Sequence, residues 1–253
     1  MRDYPQMITE VGHVEPVPRR VRAVLGGQTV VDTTRALYVW EHKYYPHFYI
    51  PLDDVAAGVL VDEGRVEQHA LGTAHGHALR VGDVEKPAVA RVYGDDAAKA
   101  EVRGYVRLRW DALDAWFEED EEVFVHPRSP YARVDALRST RHVRIAFGGT
   151  TLAESSSPVL LFETGLPTRY YLNRTELDFT HLVPSDTVSQ CPYKGVTSGY
   201  WSARIDGKVH RDVAWAYDFP AVGLKPIAGL IAFYNEKVDI FVDGREVPRP
   251  SST

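Results

Sequence analysis

The sequence predicts an all-β protein built from two tandem small β domains, each a compact sandwich or barrel with little helix. Three observations predict it. The 253-residue chain contains an internal repeat, each copy opens on a Gly-Gly turn between two alternating runs, and no long 3.6-residue periodicity competes with the strand pattern.

Segment 21–49, VRAVLGGQTVVDTTRALYVWEHKYYPHFY, aligns without a gap on 143–171, VRIAFGGTTLAESSSPVLLFETGLPTRYY. Seven positions are identical: Val21/Val143, Arg22/Arg144, Gly26/Gly148, Gly27/Gly149, Thr29/Thr151, Glu41/Glu163 and Tyr49/Tyr171. Chance would give about two at ordinary residue frequencies. Downstream, Val89-Ala90 and Tyr93 match Val213-Ala214 and Tyr217, and Gly104 and Asp114 match Gly229 and Asp239.

In chain order, each copy reads as a strand, a Gly-Gly turn and a second strand, which is a hairpin signal. Aromatic and β-branched runs follow, such as Leu37-Tyr38-Val39-Trp40 and His47-Phe48-Tyr49-Ile50. Residues 201–205, 212–217, 230–234 and 237–242 repeat the pattern, punctuated by Gly, Asp and Pro. Residues 111–117 carry Leu113, Trp116 and Phe117 at helical spacing, but the aligned 238–242 reads as strand, so strand is expected in both. The acidic run 118–122 and the Pro-containing stretch 126–133 read as a solvated linker. The expected division is a first domain at 17–125, a linker at 126–140 and a second domain at 141–249.

With 44% hydrophobic and 25% charged residues and a net charge of −6, the composition is that of a globular protein without a basic footprint. Nucleic acid is therefore not an expected partner. No stretch approaches the roughly 18 apolar residues of a membrane helix, and Met1-Arg2-Asp3-Tyr4-Pro5 does not resemble a signal peptide, so no membrane association and a cytoplasmic location are expected. The single cysteine, Cys191, excludes an intramolecular disulfide and a zinc site made of Cys pairs. There is no Gly-x-Ser-x-Gly, and neither Gly-Gly pair precedes a phosphate-loop lysine, so serine-hydrolase and ATP-dependent chemistry lack their motifs. No cofactor and no metal are expected, and oligomeric state is left open.

The second copy contains Val183-Pro184-Ser185-Asp186-Thr187, Cys191-Pro192-Tyr193-Lys194-Gly195, Tyr200-Trp201-Ser202, Ala214-Trp215 and Ile227-Ala228-Gly229, with Glu163 and Tyr170-Tyr171 upstream. Together these resemble the bacterial domain of unknown function 427 family across residues 143–247. The first copy resembles it more weakly, through the Gly-Gly hairpin, Glu41 and Phe48-Tyr49-Ile50-Pro51. The resemblance implies a small domain similar to the tent-like β folds, some of whose relatives bind zinc, and it implies no reaction. Where the second copy has Cys-Pro-Tyr-Lys-Gly, the first has Leu71-Gly72-Thr73-Ala74-His75-Gly76, and Arg91 stands at the position of Trp215. The first copy is thus read as degenerate.

Candidate chemistry centres on Lys194, Glu163 and Cys191. Lys194 is either a partly buried amine that acts as nucleophile or acid/base group, or a tie to Glu163 between two strands. Glu163 has a counterpart in Glu41, which suits a shared structural role as well as a functional one. Cys191 is either a nucleophile or a small buried apolar group. Tyr171, Tyr193, Trp201 and Trp215 are candidate walls of a small-molecule pocket, or simply core. In the first copy, Tyr45 and His47 are candidate ligand-binding residues, and His42, His47 and His75 with Glu41 are weighed as a metal cluster against exposed histidines, which are preferred because Pro46 interrupts the spacing. The expected function is a cofactor-independent small-molecule site in the second domain, performing acid/base or amine chemistry on a carbonyl-type substrate; the alternative is a non-catalytic ligand-binding or interaction module.

Overall fold

The computed structural model describes residues 9–250, which divide into two compact units, one running up to Ser129 and the other from Pro130 onward. The protein is all-β, with 51% strand and 7% helix. The helical residues are short 3-10 turns such as Leu52–Asp54 and Arg174–Glu176.

Each unit holds a seven-stranded and a four-stranded antiparallel sheet, and the strands follow the same order in both. In the first unit the large sheet runs Val14–Pro16, Leu37–Val39, His47–Pro51, Tyr105–Leu108, Val84–Tyr93, Gly72–Val81, Leu60–His69. In the second it runs Val134–Arg138, Val159–Glu163, Arg169–Leu172, Ile231–Phe233, Lys208–Ala216, Gly199–Ile205, Leu182–Ser185. The small sheets consist of Glu121–Val123, Ala115–Glu118, Val21–Leu25 and Gln28–Thr33 in the first unit, and of Arg245–Val247, Asp239–Val242, Val143–Phe147 and Thr150–Ser155 in the second. The repeat therefore extends to topology.

Local details recur as well. Both glycines of each Gly-Gly turn have positive φ, 59° and 72° at Gly26 and Gly27, 56° and 84° at Gly148 and Gly149, the conformation a tight hairpin turn needs. Each hairpin carries a bulge at the same place, between Ala23 and Val24 and between Ile145 and Ala146. A hydroxyl-to-carboxylate bond, Thr33 to Asp54 in one unit and Ser155 to Glu176 (2.8 Å) in the other, pins the small sheet to the first 3-10 turn.

Strand alternation sends one face of each large sheet toward the small sheet and the other outward. The inner faces form the cores, with Tyr38, Phe48, Ile50, Val106 and Trp116 in the first unit and Ile145, Tyr170, Leu172, Trp201 and Phe233 in the second. A separate cluster lies on each outer face: Val39, Tyr49, Tyr93 and Val102 in the first unit, Leu161, Tyr171, Tyr200, Trp215 and Tyr217 in the second.

Two expectations need correction. The acidic run is not a solvated linker, because Ala115–Glu118 and Glu121–Val123 pair as a hairpin. Glu118 is buried and bonded by Arg19 at 2.5 Å, so its charge is neutralised inside the fold. Nor is 126–140 a linker throughout, since Val134–Arg138 is an edge strand paired along Val159–Glu163. At 111–117 a 3-10 turn, Trp110–Ala112, precedes the expected strand.

Candidate functional site

In the second unit the sequence between Leu182–Ser185 and Gly199–Ile205 leaves the large sheet as a small hairpin, Gln190–Cys191 paired with Gly195–Val196. Its tip is Cys-Pro-Tyr-Lys-Gly, and Gly195 makes the return with a φ of +98°, a value side-chain-bearing residues rarely adopt. The hairpin is held by Ala221 N–H donating to the Lys194 carbonyl (3.1 Å), by Ser189 N–H donating to Thr197 Oγ1 (2.8 Å) and by the Ser189 and Tyr200 hydroxyls (2.7 Å).

Beneath it, Glu163 ends its strand with the same outward parity as Val159 and Leu161. Lys194 comes down from the hairpin and forms an ion pair with Glu163, both residues being 8% exposed. Such a pair is stable only because each charge cancels the other's desolvation. Tyr171, Ala232, Trp215 and Tyr200 lie in one cross-strand row over the same face. Tyr200 and Tyr234 share a hydroxyl bond of 3.0 Å, and the Trp215 and Tyr234 rings pack at a tilt with centroids 4.3 Å apart.

The Tyr171 hydroxyl is different. It is fully buried, and among the described residues no atom completes a hydrogen bond to it; the Trp215 indole is near enough to influence it but lies outside bonding geometry. Burial, and then the neighbouring Glu163 and Cys191, push its pKa up, so it stays protonated. Tyr217 is raised in the same way, by burial and then by Cys191 and Tyr171.

The structure thus brings together Lys194, Glu163, Cys191, Tyr171 and Trp215. It does not bring Trp201 with them: that ring faces the inner core, against Phe179 and under the Arg174 guanidinium. The reason is parity, since Tyr200 and Trp201 are adjacent on a strand and point to opposite faces. Tyr193 sits half-buried on the hairpin. Tyr200, Tyr217 and Tyr234 complete the face. The repeat match of Tyr93 with Tyr217 was the available signal for one of them.

The equivalent outer face of the first unit keeps the carboxylate and changes the cation. Glu41 accepts from Arg107 Nε (3.1 Å) and from the Tyr49 hydroxyl (3.2 Å), which also lies 3.4 Å from the Tyr93 hydroxyl. Arg107 comes from the sheet itself, at the position of Ala232, whereas Lys194 comes from the hairpin. Burial pushes Glu41 up, but Arg107 and the other donors outweigh it and hold the carboxyl below its usual range.

His47 lies beside this pair, its Nδ1 3.4 Å from Arg107 Nη2, and burial pushes its pKa down to about 4. Tyr45 is edge-on to His42 at 4.4 Å and stacks on His126 at 3.7 Å. His42 and His47 are therefore packed together with Tyr45, whereas His75 is partly exposed and meets Asp96 at 3.1 Å. Among the described residues no group of three or more His, Cys, Asp or Glu is arranged to hold a metal ion.

The model for the domain of unknown function 427 matches residues 13–119 and again 135–244. The chain belongs to this family. A comparison with curated proteins returns no match. The chain is a tandem arrangement of two domain of unknown function 427 copies, and both copies share the carboxylate, buried at Glu163 and half-buried at Glu41, and the adjoining tyrosine pair, Glu41 with Tyr49 and Tyr93, Glu163 with Tyr171 and Tyr217. No helix of the described residues is long and apolar enough to cross a membrane.

Proposed function

We propose that the outer face of the second domain's large sheet is a cofactor-independent small-molecule site, covered by the Cys-Pro-Tyr-Lys-Gly hairpin, for a ligand bearing a carbonyl or carboxylate group. The observation that carries this reading is the Tyr171 hydroxyl. Buried polar groups are nearly always hydrogen-bonded, and one left unmade beside a buried ion pair marks a place where a ligand oxygen has a donor waiting. Lys194 supplies a second donor once it turns from Glu163, and Trp215 and Tyr217 supply the apolar walls.

Binding is favoured over amine catalysis by the same geometry. Lys194 is engaged as a donor to the buried Glu163 carboxylate, so its nitrogen is not presented as a free nucleophile to a carbonyl. Acid/base chemistry on a bound carbonyl compound would follow only after the pair separates, with Glu163 as the base and Lys194 as the acid. The short hairpin is the element that would lift to admit a ligand, because it forms a two-stranded ladder of its own outside the large sheet.

Thermal shift with a panel of small aldehydes, ketones and carboxylates tests the reading on the wild type, Tyr171→Phe and Lys194→Ala, each against its own ligand-free melting temperature. The expected result is a compound that stabilises the wild type and loses its effect in folded Tyr171→Phe. If no compound stabilises the wild type and Lys194→Ala simply melts far lower, Lys194 is a structural tie and the binding reading falls.

A further inference from the structure

We infer that the first domain carries a separate site, for a phosphate-bearing small molecule, on Arg91 and Arg107 of its outer sheet face. The two domains use the same cross-strand row for different chemistry. In the second the row reads Tyr171, Ala232, Trp215, Tyr200. In the first, the same positions read Tyr49, Arg107, Arg91, Gly76, with Arg65 opposite Gly76. An aromatic platform lying under a hairpin has become a row of guanidinium groups.

Arg91 and Arg107 are direct cross-strand partners, so their Cβ atoms stand about 5 Å apart and two like charges leave the sheet side by side, which is unfavourable unless an anion lies between them. The resident carboxylates do not fill that role. Glu41 meets Arg107 through Nε at 3.1 Å. Glu67 is shared: it is bonded by Arg65 and lies 2.8 Å from His69, and it reaches Arg91 only through Nε, at 3.4 Å. Among the described residues this is the one ion pair of Arg91, whose side chain is 35% exposed. Among the described residues its terminal Nη donors make no hydrogen bond to the protein.

A tetrahedral dianion suits such a pair better than a planar carboxylate does. It offers separate oxygens to two forks, taking paired hydrogen bonds from Arg91 and a further one from Arg107. His47 lies beside Arg107, its Nδ1 3.4 Å from Arg107 Nη2, and helps to hold that guanidinium in place. Gly76 keeps the row open: a Cβ there would stand 2.7 Å from Arg65 Nη2, so the Arg65 side chain lies across the glycine toward Arg91. The chain's net charge of −6 favours a small phosphorylated molecule over a polynucleotide.

Isothermal titration of the full chain with inorganic phosphate and with pyrophosphate, at ionic strength matched by chloride, tests the assignment. The expected result is saturable binding that weakens tenfold or more in Arg91→Ala, since a charged hydrogen bond contributes roughly that much. Arg91→Lys keeps the charge but not the fork and is expected to lose most of the affinity while melting as the wild type does. No saturable binding to the wild type, or binding unchanged in both variants, overturns the site. Tighter binding of a single-stranded oligonucleotide than of pyrophosphate overturns the small-molecule assignment. Because neither arginine lies in the second domain, either result leaves the reading of Lys194 and Tyr171 standing or falling by itself.

Discussion

Deleting one member of the Lys194–Glu163 pair strands a charge that the fold has already removed from water. Lys194→Ala is therefore expected to cost about 3–5 kcal/mol in denaturant unfolding, whereas Lys194→Met combined with Glu163→Leu is expected to be close to neutral. Tyr171→Phe acts in the opposite sense: it removes a hydroxyl that has no hydrogen bond, so the variant is expected to unfold at the same denaturant concentration as the wild type or higher. At this scale the sequence was partly legible. Glu163 and Lys194 stand out because the repeat keeps one and the motif contains the other. Arg107 does not, because its counterpart is Ala232 and its pairing with Glu41 runs across a sheet, between residues far apart in the chain. Trp201 falls on the face opposite the other candidate walls, which is not legible because the register of Gly199–Ile205 is not written in the sequence, and a shift of one residue reverses a strand's faces.

Among the elements, the long hairpin of the first domain shows where local signals fail. Leu60–His69 and Gly72–Val81 are ten-residue strands, yet the buried positions 74, 76 and 78 hold Ala and Gly rather than the bulky apolar residues that mark a half-buried strand. They are held by pairing along their length and by docking of the turn, where Lys99 N–H donates to the Leu71 carbonyl at 3.2 Å. Gly72 permits that docking. It has a φ of +107°, and a Cβ there would fall 2.2 Å from the Ala98 backbone nitrogen. Gly72→Ala is accordingly expected to lower stability by about 3 kcal/mol or more, read as a fall in melting temperature, since both the backbone and its neighbour must move. The Gly-Gly hairpins, by contrast, were legible in full, because their turn chemistry is local. Val134–Arg138 was not: it is an edge strand whose only reason to be a strand is its partner, Val159–Glu163.

For the molecule as a whole, acid is expected to weaken the first domain in particular. His47 has a folded pKa of about 4 against roughly 6.5 unfolded, so between those values the unfolded chain binds more protons, and stability falls as pH drops from about 6.5 toward 4. Glu41, whose folded pKa is lowered, loses its contribution as pH falls further. Allowing for the partial exposure of the ring, the His47 share is of order 2 kcal/mol. His47→Gln is expected to flatten the pH dependence of unfolding between pH 6.5 and 4.5, measured by denaturant titration. A tandem all-β repeat with one motif-bearing copy is readable from the chain, because repetition, turn residues and strand propensity are written in near neighbours. Which side chains share a face emerges only on folding. The tertiary structure set Lys194 on Glu163, turned Trp201 away and aligned Arg91 with Arg107, because register and cross-sheet pairing join residues that no local pattern relates.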